Sequence, residues 1–339
     1  MRTLGALALL HWSHVGFARV PQATDFQSYE IVGSSGPFTF HLDRIEQEKP
    51  GPLVIWLPGS GAMPFFQTFD DGSRGYMFPL ALLRRTPEAH FLLVEKPGVP
   101  FSAKIAFNEM EGRPVELDNA AYRAGLTKES LVERAAASIE AAKRRLGGRA
   151  TSVVITGGSE GAQYAFAVAN KVGADQVIVW GGNALPQYFD LIIEQRNAAE
   201  TAKISREQAQ ENVEDVLTSV RRIQAAPQDV QRRFMGEAYR RWSGFGPYAP
   251  IKDMLRFRNP ILFMQGGADT NAPILNSDYA ALAFAMNGRT NLTYKVYPNL
   301  DHHFRTPDGT SQADEIWDAA WQWMSQNSLS RSGDRSRRP

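Results

Sequence analysis

Residues 151–162 read Thr-Ser-Val-Val-Ile-Thr-Gly-Gly-Ser-Glu-Gly-Ala, and this stretch decides the fold. The apolar run Val153–Ile155 is typical of a strand that is buried on both faces. It leads into Gly-Gly-Ser-Glu-Gly at 157–161, which matches the pattern G-x-S-x-G, and a helical pattern follows. A strand, a sharp turn and a helix with Ser159 at the tip predict an exposed nucleophile, because the flanking glycines leave room for a strained turn.

Apolar runs of the same kind recur along the chain and indicate a parallel sheet covered on both faces. These runs are Leu53–Leu57, Phe91–Val94, Val153–Ile155, Val177–Trp180 and Ile261–Met264. The more alternating run Leu292–Tyr297 suits an edge strand. Two further alternating runs, Phe26–Val32 and Phe38–Leu42, are joined by Gly-Ser-Ser-Gly and predict an N-terminal antiparallel hairpin.

Helical patterns lie between the strands, so the sequence predicts an α/β fold with a doubly wound, mostly parallel sheet. One helix begins after Thr127 as a cap and ends at Gly147-Gly148. The others are Tyr164–Val172, Asn276–Met286 and Ala313–Ser325. Between Pro186 and about Leu255 there is no strand candidate, and the helix-forming stretches Arg206–Ile223 and Gln228–Trp242 predict a helical cap insertion.

We therefore expect four parts in the chain. Residues 24–185 and 256–327 form the core, residues 186–255 form the helical cap, and residues 328–339 form a disordered basic tail. Residues 1–23 have a basic start and the short apolar run Leu4–Leu10, which is typical of a leader or a signal peptide. Export to the periplasm or the cell exterior and retention in the cytoplasm both stay open.

Composition excludes several classes of protein. The 339 residues carry 37 Lys+Arg against 36 Asp+Glu, a net charge of +1. The tail Arg331–Pro339 holds four Arg and one Asp, and subtracting its +3 leaves the rest of the chain at −2. That balance lacks the basic surface that nucleic-acid binding needs. The lack of cysteine excludes disulfides, thiol catalysis and cysteine zinc sites, and no apolar run is long enough for a transmembrane helix.

A serine nucleophile needs a base, and the chain order that accompanies this motif is Ser, then acid, then His. Of six histidines only His302 and His303 follow Ser159, and we take His302 as the base, with His303 as the one-residue alternative. Asp269 follows the strand 261–264 at the carboxyl edge of the sheet, where ligand sites collect. It is favoured as the acid over Asp301, whose place beside His302 on the backbone makes the required geometry awkward.

An oxyanion hole needs two backbone N–H groups, one after the nucleophile and one from an earlier loop. Glu160 supplies the first. The loop Leu-Pro-Gly-Ser-Gly at 57–61 follows a strand, and Ser60 N–H is the predicted second donor. Four aromatic residues of the cap are expected either in the substrate pocket or in the core of the cap: Tyr188, Trp242, Phe245 and Tyr248.

These residues resemble the α/β-hydrolase superfamily, in particular its esterase and prolyl-oligopeptidase/dienelactone-hydrolase-like branches. The resemblance runs from Leu53 to about Trp323 and includes Gln-Gly-Gly-Ala-Asp-Thr-Asn-Ala-Pro at 265–273 and Asp-His-His-Phe at 301–304. It implies a triad of Ser159, Asp269 and His302 beneath the helical cap. Many members have a histidine where this chain has Pro58, a departure that concerns the geometry of the loop rather than the chemistry.

The sequence thus predicts a serine hydrolase that cleaves a carboxylic ester through an acyl-enzyme, with a small ester or a short peptide as substrate and with no cofactor or metal. A serine peptidase, a thioesterase and an acyltransferase share the same triad and stay open, as does a non-catalytic binding protein. An NAD(P)-dependent short-chain oxidoreductase is disfavoured, because Gln163 stands where its phosphate loop needs a glycine and Pro250 interrupts the pair Tyr248 and Lys252. The oligomeric state is not indicated.

Overall fold

A computed structural model describes residues 20–34, 36–43, 48–83, 89–110 and 112–335. The predicted leader lies outside these residues except for its last four positions. The strands in chain order are β1 (Phe26–Gly33), β2 (Gly36–Asp43), β3 (Gly51–Leu57), β4 (Phe66–Thr68), β5 (Arg74–Tyr76), β6 (His90–Val94), β7 (Ser102–Lys104), β8 (Phe107–Asn108), β9 (Arg113–Pro114), β10 (Ala150–Gly158), β11 (Gln176–Trp180), β12 (Arg233–Phe234), β13 (Glu237–Ala238), β14 (Ile261–Gly266) and β15 (Leu292–Tyr297).

The described residues form a central sheet of eight strands in the order β1-β2-β6-β3-β10-β11-β14-β15. β1 and β2 form the predicted antiparallel hairpin, and β2 pairs antiparallel with β6. From β6 to β15 every pair is parallel. The fold class predicted from the sequence, a mostly parallel α/β sheet with an N-terminal hairpin, is confirmed.

Helices follow most of the strands of this sheet. They are α1 (Leu80–Leu83), α2 (Ala120–Gly125), α3 (Lys128–Leu146), α4 (Glu160–Val172), α5 (Gln187–Glu200), α6 (Arg206–Ala225), α7 (Tyr239–Phe245), α8 (Ile251–Arg256), α9 (Ile274–Met286) and α10 (Ala313–Arg335). The start of α3 shows how the sequence sets a boundary: the Thr127 hydroxyl accepts a hydrogen bond from Ser130 N–H, as predicted for a cap.

Alternate residues of the central strands enter two apolar cores, one on each face of the sheet. In β3, Leu53, Ile55 and Leu57 face one core, whereas Val54 and Trp56 face the other. Helices α3 and α4 cover the first face, and α10 covers the second. Burial on both faces explains why these strands read as unbroken apolar runs.

The insertion between β11 and β14 contains more than helices. The predicted helix over 228–242 is wrong, because β12 and β13 form a hairpin there and α7 begins only at Tyr239. Met235 and Gly236 are the two turn residues, both with positive φ (+48° and +86°), the backbone that a two-residue hairpin turn requires. The division of the chain into core and cap stays a prediction, and α7 and α8 contribute Phe245, Ile251 and Met254 to the first core.

The C-terminal helix continues past residue 328, where the sequence predicted the start of a disordered tail. α10 runs to Arg335, so that start was placed too early. Ser328 has a structural role: its hydroxyl accepts a hydrogen bond from Gln176 Nε2 at 2.8 Å and donates to Met324 O at 3.0 Å.

Candidate active site

Ser159 lies where β10 ends and α4 begins. Its backbone has φ +53° and ψ −122°, a conformation that residues with a side chain rarely adopt. Strain of this kind costs about 1–3 kcal/mol and persists where the surrounding structure fixes it. Here Ser159 N–H donates to Trp180 O of β11 at 3.0 Å, and the side chain stays partly exposed.

Close contacts with a side chain and with the backbone require glycine on both sides of Ser159. A Cβ on Gly161 would lie 2.0 Å from Leu57 O, and a Cβ on Gly158 would lie 2.1 Å from Cη2 of Trp180. Neither space admits a methyl group. Packing at the junction of β3, β10 and α4 therefore requires glycine at these positions, as the sequence predicted for a sharp turn.

Asp269 and His302 meet at the carboxyl edge of the sheet. His302 Nδ1 lies 2.7 Å from Asp269 Oδ2, and both side chains are buried. The other carboxylate oxygen of Asp269 accepts the N–H groups of Asn271 and Ala272 at 2.8 and 2.9 Å, which fixes the carboxylate. Asp301, the alternative acid, instead accepts N–H groups within its own loop, from His303 and Arg305.

His302 and Ser159 lie against the same end of β11. A Cβ on Gly181 would lie 2.8 Å from Cε1 of His302, and Gly181 directly follows Trp180, whose carbonyl binds Ser159 N–H. The indole Nε1 of Trp180 also donates to His302 O at 3.2 Å. Trp180 therefore connects the loop of His302 to the turn of Ser159 through two hydrogen bonds.

The two neighbouring histidines differ in their electrostatics. Burial lowers the pKa of His302, but the charge and hydrogen bond of Asp269, with a further contribution from Asp301, outweigh it and raise that pKa. Burial and the nearby His302 lower the pKa of His303 to about 4. His302 is the histidine with a carboxylate partner, as a base held in one tautomer requires.

The two predicted oxyanion donors lie next to Ser159. A Cβ on Gly59 would lie 3.4 Å from Ser159 Cβ, which places the loop of Ser60 against Ser159. Glu160 opens α4, so its N–H belongs to the first turn, whose donors have no partner within the helix. Ser60 is exposed, and its N–H has no acceptor within the described ranges.

Two buried cations near Ser159 were not predicted. Lys96 Nζ lies 3.4 Å from Glu160 Oε1, and Arg241 donates to the Oε2 oxygen from both Nε (3.0 Å) and a terminal nitrogen. Burial raises the pKa of the Glu160 carboxyl, but Arg241 and Lys96 outweigh it and hold that pKa below its ordinary value. The position of Lys96 just after β6, at the carboxyl edge of the sheet, was the one available sequence signal.

The four aromatic residues proposed for a substrate pocket are mainly packing residues. Tyr188 and Trp242 stack on each other in the cap, with centroids 5.7 Å apart. Phe245 is fully buried beside Tyr164 of α4. Tyr248 donates its hydroxyl hydrogen to Asp253 at 2.6 Å. The structure places Tyr188 and Trp242 in an apolar cluster of the insertion and Phe245 in the first core of the sheet, so these three side chains contribute to packing.

Two features are absent from the part of the chain that the structure describes. Among those residues no group of three His, Asp or Glu side chains is placed to hold a metal ion. None of the helices found there combines the length and apolar character needed to cross a membrane.

No protein-family model matches the sequence, and no curated protein matches it. Solved structures do match. Acylaminoacyl peptidase from Pyrococcus horikoshii has a TM-score of 0.55 and 12% identity, over 90% of this chain and 42% of that chain. An acylaminoacyl peptidase in complex with Z-Gly-Gly-Phe-chloromethyl ketone gives 0.54 and 12%, over 88% and 41%. A malate-bound thermophilic esterase from Thermogutta terrifontis gives 0.50 and 16%, over 89% and 99%.

The chain has the α/β-hydrolase fold. The resemblance stated from the motifs is thus confirmed for the architecture. This α/β-hydrolase chain spans about two fifths of the length of the acylaminoacyl peptidases it matches and nearly all of the esterase. Both peptidases and an esterase therefore share the fold of this chain.

Proposed function

We propose that this protein is a serine hydrolase in which Ser159 is the nucleophile, His302 the base and Asp269 the residue that orients the base. The observation that carries the proposal is the 2.7 Å contact between His302 Nδ1 and Asp269, formed beside the strained turn of Ser159. That contact holds the proton on Nδ1 and leaves Nε2 to accept one.

In the proposed reaction, His302 Nε2 takes the hydroxyl proton as Ser159 Oγ attacks the carbonyl carbon. The N–H groups of Ser60 and Glu160 bind the oxyanion that forms. His302 then gives its proton to the leaving group, and an acyl-enzyme results. Water, deprotonated by His302, attacks the acyl carbon, and the acid leaves as Ser159 regains its proton.

We propose a carboxylic ester as the bond that is cleaved, with a small molecule as substrate. The similar esterase supports this choice. A peptidase is the second candidate, supported by the similarity to acylaminoacyl peptidases at TM-scores of 0.55 and 0.54. A thioesterase and an acyltransferase differ from these in the leaving group or in the final acceptor, and they use the same acyl-enzyme.

A direct comparison of substrates tests this function. We expect hydrolysis of p-nitrophenyl acetate or butyrate, and a loss of about six orders of magnitude in kcat for Ser159→Ala. Faster cleavage of N-acetyl-aminoacyl p-nitroanilides would favour the peptidase, and ester products formed with an added alcohol would favour acyl transfer. If the folded protein cleaved none of these substrates, the proposed function would be contradicted.

A further inference from the structure

Lys96 is a buried lysine whose ammonium group contacts three oxygen atoms around the nucleophile. It lies just after β6 and is 4% exposed. Nζ donates to Gly59 O, to Gly61 O at 3.0 Å and to Glu160 Oε1 at 3.4 Å. An ammonium group has three N–H donors, so these three oxygens satisfy it completely.

The carbonyl groups that Lys96 holds flank Ser60. Gly59 C=O and Ser60 N–H belong to one planar trans peptide group, in which the two bonds point in opposite directions. The bond to Lys96 therefore fixes the direction of Ser60 N–H, which points away from the ammonium group. The peptide group between Gly61 and Ala62 is fixed in the same way. Gly61 O accepts a hydrogen bond from Lys96, and Ala62 N–H donates to Glu116 at 3.0 Å.

Glu160 keeps the ammonium group in this place. Its carboxylate is divided between two cations, with Oε1 facing Lys96 and Oε2 bound by Arg241 of α7. Arg241 in turn donates to Gln187 of α5 at 2.7 Å, a contact that helps to hold the guanidinium group beside Glu160. One residue, Glu160, thus supplies a backbone N–H beside Ser159 and also the charge that holds Lys96.

We propose that Lys96 is a positioning residue for the oxyanion hole, where it fixes the peptide plane that carries Ser60 N–H. This inference rests on the proposed serine hydrolase function. Donors that are aligned before the reaction stabilise the oxyanion without reorganisation. Lys96 thereby acts on the transition state through Ser60 and touches no reacting atom itself.

Kinetics of Lys96→Met test this role. The variant leaves Glu160 paired with Arg241, so no buried carboxylate loses all its cations. We expect kcat on a p-nitrophenyl ester to fall about 10²-fold, the effect of losing one oxyanion donor, with KM changed less than about three-fold. Affinity for a trifluoromethyl ketone, which forms an oxyanion on the nucleophile, should fall in parallel with kcat/KM.

Three further variants separate positioning from a general structural role. Lys104→Met is the matched control, because Lys104 pairs with Asp70 on the surface, and it should retain wild-type kinetics. Lys96→Arg should restore part of kcat, since a guanidinium also donates to two carbonyls. If Lys96→Met is not recovered folded, as judged by circular dichroism, Lys96→Gln is measured against the same criteria.

The outcomes distinguish the two proposals. Wild-type kcat within three-fold in a folded Lys96 variant, or a fall in kcat without weaker binding of the ketone, would overturn the role of Lys96 alone. A wild-type protein whose Ser159 does not react with a fluorophosphonate would overturn the serine hydrolase and the role of Lys96 together.

Discussion

At the scale of single residues, two opposing effects act on the pKa of His302. Its ring is buried, which disfavours the charged form, and Asp269 contacts it at 2.7 Å, which favours that form. Asp269 outweighs burial, so the pKa of His302 is raised. The sequence could predict this pair, because the chain order and the position of Asp269 after β14 limited the choice.

Replacing Asp269 by Asn tests the balance. A base works in its neutral form, so kcat/KM for an ester rises with pH through the pKa of free-enzyme His302. Without the carboxylate, burial dominates, and we expect the midpoint of this rise to move to lower pH. We also expect kcat to fall by about 10³–10⁴-fold, because the imidazole loses its orientation.

The control for this experiment is Asp301→Asn. Asp301 also raises the pKa of His302, but its carboxylate mainly accepts N–H groups of its own loop. In Asp301→Asn we expect the midpoint of the rise in kcat/KM to move to lower pH as well, by a smaller amount than in Asp269→Asn. An unchanged or higher midpoint in Asp269→Asn would contradict the assigned partner.

Lys96 and Arg241 show what sequence reasoning missed at this scale. They lie 64 and 81 positions from Glu160 along the chain, and neither belongs to a local pattern. Their contacts depend on where β6 and α7 meet α4. Only the folded chain brings these residues together.

At the scale of elements, the turn between β10 and α4 depends on the absence of side chains at Gly157 and Gly161, where a Cβ would lie 2.8 Å from Gly161 C and 2.0 Å from Leu57 O, respectively. This requirement could be predicted from the sequence, because the spacing of the motif carries it. The hairpin of β12 and β13 could not, since its turn is Met235-Gly236 within a stretch of helix-forming residues. Tertiary packing against Trp242, whose Nε1 donates to Phe234 O at 2.7 Å, overrides the local preference there.

Replacing Gly161 by Ala tests the packing of this turn. The new Cβ would lie 2.0 Å from Leu57 O, a backbone atom that β3 holds in the sheet. We expect the free energy of unfolding to fall by about 3 kcal/mol or more, measured by urea denaturation. Gly148→Ala is the matched control: a Cβ there meets no atom within 4 Å, and a change within about 1 kcal/mol is expected. Equal stabilities of the two variants would show that the turn is not constrained as described.

At the scale of the whole molecule, the parallel sheet gathers its carboxyl ends at one edge. Ser159 follows β10, Asp269 follows β14 and His302 follows β15, although the chain separates the first from the last by 143 positions. The central strands and their mostly parallel pairing could be expected from buried apolar runs, whereas their order in the sheet was not predicted. The arrangement of the cap could not be expected, because α7 packs into the main core through Phe245 instead of forming a separate layer.

Another serine of the same fold, Ser28, contacts a histidine. Ser28 Oγ lies 2.9 Å from His41 Nδ1, and His41 Nε2 lies 3.0 Å from Glu95. Ser28 lies within β1, directly across from His41 in β2, and no helix begins there to supply free N–H groups. We therefore expect Ser159, on its strained turn before a helix, to be the nucleophile and Ser28 to be unreactive.

Covalent labelling with a fluorophosphonate, followed by mass spectrometry to locate the adduct, determines whether Ser159 is the activated nucleophile. The measurement uses the wild type, Ser159→Ala and the matched control Ser28→Ala. We predict one adduct, on Ser159, in the wild type and in Ser28→Ala, and none in Ser159→Ala. An adduct on Ser28, labelling of folded Ser159→Ala, or no adduct on the folded wild type would contradict the account.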